Sequence, residues 1–196
     1  MKTLILVSLA LMMGLNSHAQ KNINNLLKKG KKAYHKAQYT KAITCLDKVL
    51  KLDLRNSEAY TWKALSHSGL KEYKDAFEAF EAALNLSPTA DRYKHRAAMK
   101  SAMAFSGMEL LELCDCGTYI MPSASGKTDI MAYYQSIAQD YEEAIKVEDS
   151  NADTYYRAAI NYYYLGNYNK TCTYIEKAKT LGHEKPIPPK FTEQCK

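Results

Sequence analysis

Residues 57–90 read SEAYTWKALSHSGLKEYKDAFEAFEAALNLSPTA, and this stretch decides the fold. Tyr73, Phe77, Phe80 and Leu84 recur at intervals of three or four and form one apolar stripe, as in a helix packed along one side. Ala64 and Ala83 fall where a bulkier side chain would hold paired helices apart. Ser87-Pro88 ends the second helix, because Pro has no amide hydrogen to donate and its ring clashes with the preceding turn. The stretch therefore predicts two helices and a closing turn. Such a pair cannot bury its own stripe, so its stability has to come from stacked neighbours.

Working outward, the same order of sizes returns every 34 residues. Upstream it runs Gly30, Ala33, Tyr39, Ala42, Leu46 and Val49; the quoted copy runs Ala64, His67, Tyr73, Ala76, Phe80 and Ala83 to Pro88. A fainter copy follows at Ala98, Ser101, Gly107, Leu110, Cys114, Gly117 and Pro122, and a last one at Ala159, Tyr162, Tyr168, Thr171, Ile175 and Ala178. A period of 34, small residues where helices cross and Pro at the closing turn are similar to the tetratricopeptide repeat. The resemblance implies an all-α, right-handed superhelical solenoid of antiparallel helix pairs, with repeats at 23–56, 57–90, a degenerate 91–124 and 152–185. Between the last two, residues 121–127 read as a surface loop. Thr128 then reads as the N-cap of an extra long helix over 128–148, with Ile130, Tyr134, Ile137, Tyr141 and Ile145 on one face. The expected total is about nine helices, and the tail 186–196 is too Pro-rich to continue them.

The N-terminus has the three parts of a secretory signal peptide: Lys2, an uncharged apolar run from Leu4 to Leu15, and small residues at Ser17-His18-Ala19. Twelve apolar residues are too few to span a bilayer core, which needs about 20. No Cys follows the run, so a lipobox is not supported. Cleavage is expected after Ala19, leaving a chain of 177 residues that begins at Gln20, with its formal charge falling from +6 to +5 as Lys2 is lost. A mildly basic protein in a periplasmic or secreted location favours acidic partners and argues against nucleic acid. The Lys clusters at 28–36 and 170–196 read as solvated helix faces.

No catalytic or cofactor set emerges. Gly126-Lys127-Thr128 resembles the end of a phosphate loop, but Met121 stands where that loop needs Gly. Cys114-Asp115-Cys116 lacks a second pair or a nearby His, whereas structural zinc takes four ligands. None of the five His residues has the paired spacing of a metal site. The expectation is a non-enzyme without cofactor or metal.

In the resembling family, the first helix of each pair lines a concave groove that holds ligands. Carried over where the repeat frame holds, this implies groove positions at Trp62 and Leu65, at Arg92, His95, Arg96 and Met99, and at Tyr156, Ile160 and Tyr163. Arg92 and Arg96, four apart on one face, are placed to grip a partner's carboxylate. This is similar to half of the family's carboxylate clamp; Leu27, Lys31 and Trp62 stand at the other clamp positions, and of these only Lys31 fits. Tyr162 and Tyr168 are read as core. Five Cys follow the expected cleavage site, and an odd number leaves one unpaired or shared. Connectivity is not deducible from sequence; the candidate bond is Cys172–Cys195, which would fold the tail back over the flank of the last repeat and contribute ~3 kcal/mol. The functional expectation is an envelope scaffold or adaptor for a peptide or protein. The alternatives are a structural subunit of an envelope assembly and a thiol-dependent redox protein using Cys114 and Cys116.

Overall fold

The computed structural model describes residues 2–105 and 127–195, and every regular element among them is helical. The chain forms two compact units, residues 1–87 and 88–196.

The first unit holds α1 (Lys2–His35), α2 (Tyr39–Leu52), α3 (Ser57–Gly69) and α4 (Tyr73–Leu86). Each helix packs on the next, and α1 also reaches α3. Ala64, Phe80 and Ala83 are fully buried and Phe77 and Leu84 nearly so, as the stripe and the small crossing positions predict. Burial of a Phe or Leu side chain stabilises by about 1.5–3 kcal/mol, so this stripe is a main contributor to the pair. A second cluster joins Ile23 and Ala33 of α1 to Ala42, Leu46, Val49 and Leu50 of α2 and to Ala59 of α3. Small residues permit the approach: a Cβ on Gly69 would lie 2.6 Å from the Tyr39 ring. α1 runs unbroken from the apolar N-terminal run into the first repeat. Among the described residues no helix is long and apolar enough to cross a membrane.

The second unit holds α5 (Ala90–Phe105), α6 (Lys127–Val147), α7 (Ala152–Tyr164), α8 (Tyr168–Thr180) and a single 3-10 turn at Pro189–Phe191. Consecutive helices again pack as neighbours. The long helix α6 packs directly on α5. Its buried face is Tyr133, Ile137, Ala138, Asp140, Tyr141 and Ala144, which leaves Tyr134 and Ile145 half-buried at the margin of the expected stripe. α6 begins at Lys127, one residue before the expected cap. Eight α-helices stand among the described residues against about nine expected. The second helix of the degenerate repeat, with Gly107, Cys114, Cys116, Gly117 and Pro122, falls outside those residues.

Helix starts follow side-chain chemistry. Asn56, Asn151 and Asn167 each accept a hydrogen bond from the amide three residues on, at 2.9, 3.0 and 3.1 Å, capping α3, α7 and α8. α1, α3, α7 and α8 end in a left-handed residue, at Ala37, Lys71, Gly166 and Gly182 respectively. In each case the next amide bonds the carbonyl five residues back, at 2.9 to 3.0 Å.

Candidate partner-binding site

The groove positions fall into three groups, one in the first unit and two in the second. In the first unit, α1 and α3 present a mixed aromatic and charged cluster. Trp62 is half-buried, with Tyr34 edge-on at 5.2 Å and His35 at 5.3 Å. Lys31 Nζ lies 5.7 Å from the Trp62 ring and pairs with Glu58. Burial pushes the Tyr34 hydroxyl pKa up, with the neighbouring Tyr39 adding to the effect. Leu65, one turn on, is half-buried. The cluster thus joins a large ring to a cation, an imidazole and a carboxylate. Arrangements of this kind anchor partners, since large apolar area combines with polar groups at its rim.

On α5 the structure redirects the sequence reading. Arg96 does hold a carboxylate, but one from its own chain. Its Nε and Nη2 donate to the two oxygens of Asp140 on α6, at 3.1 and 2.5 Å. Lys100 Nζ joins the same carboxylate at 2.8 Å and also donates to the Ser136 carbonyl at 3.4 Å. The Tyr133 hydroxyl in turn donates to the Lys100 carbonyl at 2.6 Å. Arg96, Lys100 and Asp140 are all buried. Burial drives the Lys100 pKa down to about 8, against the pull of Asp140 and with a further push from Arg96. Arg96 is therefore a structural ion-pair residue, because α6 packs on the face that the carboxylate clamp would have presented to a partner. Met99 is buried beside it, while Arg92 is half-buried and His95 exposed.

The third group lies on α7. Tyr156, Ile160 and Tyr163 share a face and are each half-buried. They meet the chain's own tail: Tyr156 lies against the His183 ring at 4.3 Å and Tyr163 edge-on to Phe191 at 4.9 Å. Ile160 packs into the cluster of Ala159, Ile175 and Phe191. Cys172 and Cys195 are joined by a disulfide, with their Cα atoms 5.3 Å apart. Cys45 is free and half-buried.

Two constellations were missed from sequence. Glu142 gathers Lys170 Nζ at 2.6 Å, the Tyr174 hydroxyl at 3.2 Å and the Tyr162 hydroxyl. Burial works to raise the Glu142 pKa, but hydrogen bonds from Lys170 and Tyr162 hold it below the usual carboxylate range. Burial and the Glu142 charge push Tyr174 up to about 12. The signal available was the run of Tyr on α7 and α8, of which Tyr162 and Tyr168 are read from sequence as core. Among the described residues, His67, Glu72 and Asp75 could together hold a metal ion, their ligand atoms lying within 4.8 Å of one another. The turn after α3 brings them together across a spacing unlike a metal motif. Glu72 and Asp75 are exposed, and His67 Nδ1 is already engaged by Glu72 at 2.6 Å.

Stacked helix pairs with small crossing residues define an all-helical repeat protein. Residues 57–89 match the tetratricopeptide repeat family model. Solved structures agree in fold. MamA is similar with a TM-score of 0.65 at 19% identity, covering 88% of this chain and 85% of its own. A thermophilic protein of the same repeat type, TTC0263 from Thermus thermophilus, scores 0.60 at 18% identity, covering 88% and 78%. PilF of Pseudomonas aeruginosa scores 0.63 at 13% identity, covering 90% and 67%. No curated protein matches by sequence. Residues 57–89 thus form a tetratricopeptide repeat, and the chain shares the helical-repeat fold of these structures.

Proposed function

We propose that the protein is a non-enzymatic adaptor of the cell envelope that binds a peptide or protein through the first helices of its repeats. The observation that carries this reading is the Trp62 cluster: a half-buried indole flanked by Tyr34, His35 and Lys31 where α1 meets α3. The ring packs against the core cluster of α1, α2 and α3, and its neighbours His35 and Lys31 add groups that suit a polar ligand. The envelope location is supported by the apolar run and the small-residue site ending at Ala19. Mass spectrometry of protein recovered from the envelope fraction should find Gln20 as the first residue. Recovery of the full chain from the cytoplasm would exclude export.

Trp62 is the sole tryptophan, so its fluorescence reports directly on the site. Titration with partners captured from envelope extract should shift the emission to shorter wavelength. Trp62→Ala should weaken capture by about 2 kcal/mol, the scale of an interface anchor. Capture that is unchanged in the variant and leaves the emission unmoved would place the interface elsewhere.

A further inference from the structure

The last repeat carries a segment that has the chemistry of a ligand. Residues 186–189 read Pro-Ile-Pro-Pro, with Pro186, Pro188 and Pro189 all exposed, and Pro188 adopts φ −56° and ψ 137°. That is polyproline II backbone, the conformation in which proline-rich peptides dock on aromatic-lined surfaces. The surface beneath is aromatic. Phe191 is buried against Ala159 and Ile175, with Ile187, Ile160, Tyr163 and Tyr174 around it. Lys190 Nζ lies 5.9 Å from the Tyr164 ring.

The attachment is of an unusual kind. Every main-chain hydrogen bond made by residues 183–195 runs to a residue no more than five positions away. Among the described residues none reaches the helices the segment covers, apart from the bond from His183 that closes α8 itself. His183 Nε2 is buried in the seam without a hydrogen-bond partner. Among the described residues the contacts that hold the segment are those of Ile187 and Phe191, the tilted His183 ring on Tyr156, Lys190 near the Tyr164 ring and the Cys172–Cys195 bond. A cap that served stability alone would gain from backbone bonds and from pairing its buried polar atoms. A tethered occupant that can be displaced needs neither.

We propose that the Tyr156, Ile160 and Tyr163 face of α7 is a docking site for a proline-rich segment bearing an aromatic residue, and that residues 183–191 occupy it as a disulfide-latched strap. A dithiol opens the latch: its two thiols become a disulfide, and the Cys172–Cys195 bond takes up two electrons and two protons to give two thiols. The freed strap then competes with the partner segment only through its tether. This deepens the adaptor reading and rests on it.

The test uses full-length mature protein and a fluorescein-labelled peptide of residues 184–193, followed by anisotropy. The peptide should bind about tenfold more tightly to dithiothreitol-reduced than to oxidised protein, because the intramolecular competitor loses its covalent hold. A peptide with its three prolines replaced by Ala should show no such gain. Phe191→Ala, kept oxidised, should also bind the peptide more tightly than the oxidised wild type; this arm decides if circular dichroism shows that reduction unfolds α8. Equal affinity in both redox states, or no gain in Phe191→Ala, overturns the strap. So does a dimer on reduction, which would make the occupant a second copy. Loss of extract partners in Trp62→Ala alongside equal peptide affinities would leave the adaptor reading standing and remove only the strap.

Discussion

The α3–α4 pair and the α5–α6 pair solve one packing problem by different means. In α3–α4 the turn at 70–72 joins the helices directly, and buried Ala64, Ala76, Phe77, Phe80 and Ala83 fill the interface. In α5–α6 the partners are separated by residues 106–126, so no tight turn sets their register. Asp140 does so instead, taking the Arg96 fork at 3.1 and 2.5 Å and Lys100 at 2.8 Å. Apolar packing tolerates sliding; a bidentate ion pair does not. The comparison shows a sequence-local pair specified by shape and a sequence-distant pair specified by charge.

The largest expected effect tests that contrast. Asp140→Asn should destabilise the protein by about 3–5 kcal/mol, the cost of breaking a buried ion pair from one side. Phe80→Ala should cost a similar amount, about 3–5 kcal/mol, through a cavity. Urea denaturation followed by circular dichroism measures both. A loss below about 1 kcal/mol for Asp140→Asn, the ordinary scale of a surface pair, would mean that apolar packing specifies both pairs, and the contrast would fail.

The disulfide adds a second asymmetry, present in the last pair and absent from the first unit, where Cys45 is free. The bond closes a loop of sequence separation 23. Cys172→Ser with Cys195→Ser should therefore cost about 3 kcal/mol by loop-closure entropy. Thermal unfolding of the oxidised wild type and the double variant gives the difference. No difference would mean that the strap constrains neither the folded nor the unfolded chain.

What could be read in advance follows the same divide. Ala64, Phe80 and Ala83 were legible because steric size at a 34-residue period is a local property, and the structure buries all three. Asp140 was not. On α6 it sits beside Tyr141, and a carboxylate at that position reads as solvent-facing until its cations are known. Those cations, Arg96 and Lys100, lie 44 and 40 residues away in a helix the repeat frame pairs with another segment. Arg96 itself was recognised as a carboxylate-binding residue; the origin of the carboxylate was the part that spacing does not encode. On α7, Tyr156, Ile160 and Tyr163 were legible as a shared face, while the tail lying against them depended on how a Pro-rich segment returns.

The Lys100 amine sharpens the contrast through pH. Its folded-state pKa is about 8, below the ~10.4 of an unfolded Lys. Below pH 8 both states hold the proton and contribute no slope. Between about 8 and 10 the unfolded chain binds a proton that the folded one has released, so stability rises with pH. The slope approaches about 1.4 kcal/mol per unit. Above pH 10, Tyr34, Tyr134 and Tyr174, whose pKa values are raised by burial, begin to work the other way. The difference in unfolding free energy between wild type and Lys100→Met isolates the Lys term. It should climb by ~2 kcal/mol from pH 8 to 10; a flat difference would mean that Asp140 holds the amine charged throughout.

The smallest effect concerns helix ends, where the two units again differ. α1 and α3 stop at Ala37 and Lys71, with φ of 55° and 62°, while α7 and α8 stop at Gly166 and Gly182, with φ of 71° and 87°. All four make the same closing bond, at 2.9 to 3.0 Å. A side chain in this left-handed region costs about 1–2 kcal/mol that Gly avoids. Lys71→Gly should therefore stabilise by about 1 kcal/mol and Gly166→Ala destabilise by about the same. Around Gly166 an added Cβ meets nothing within 4 Å, so the exchange isolates backbone strain from packing. In a chain of this size each change amounts to a shift in Tm of about 2–4 °C, in opposite directions. Two shifts of the same sign would show that something other than the left-handed backbone governs these ends, and would remove this difference between the units.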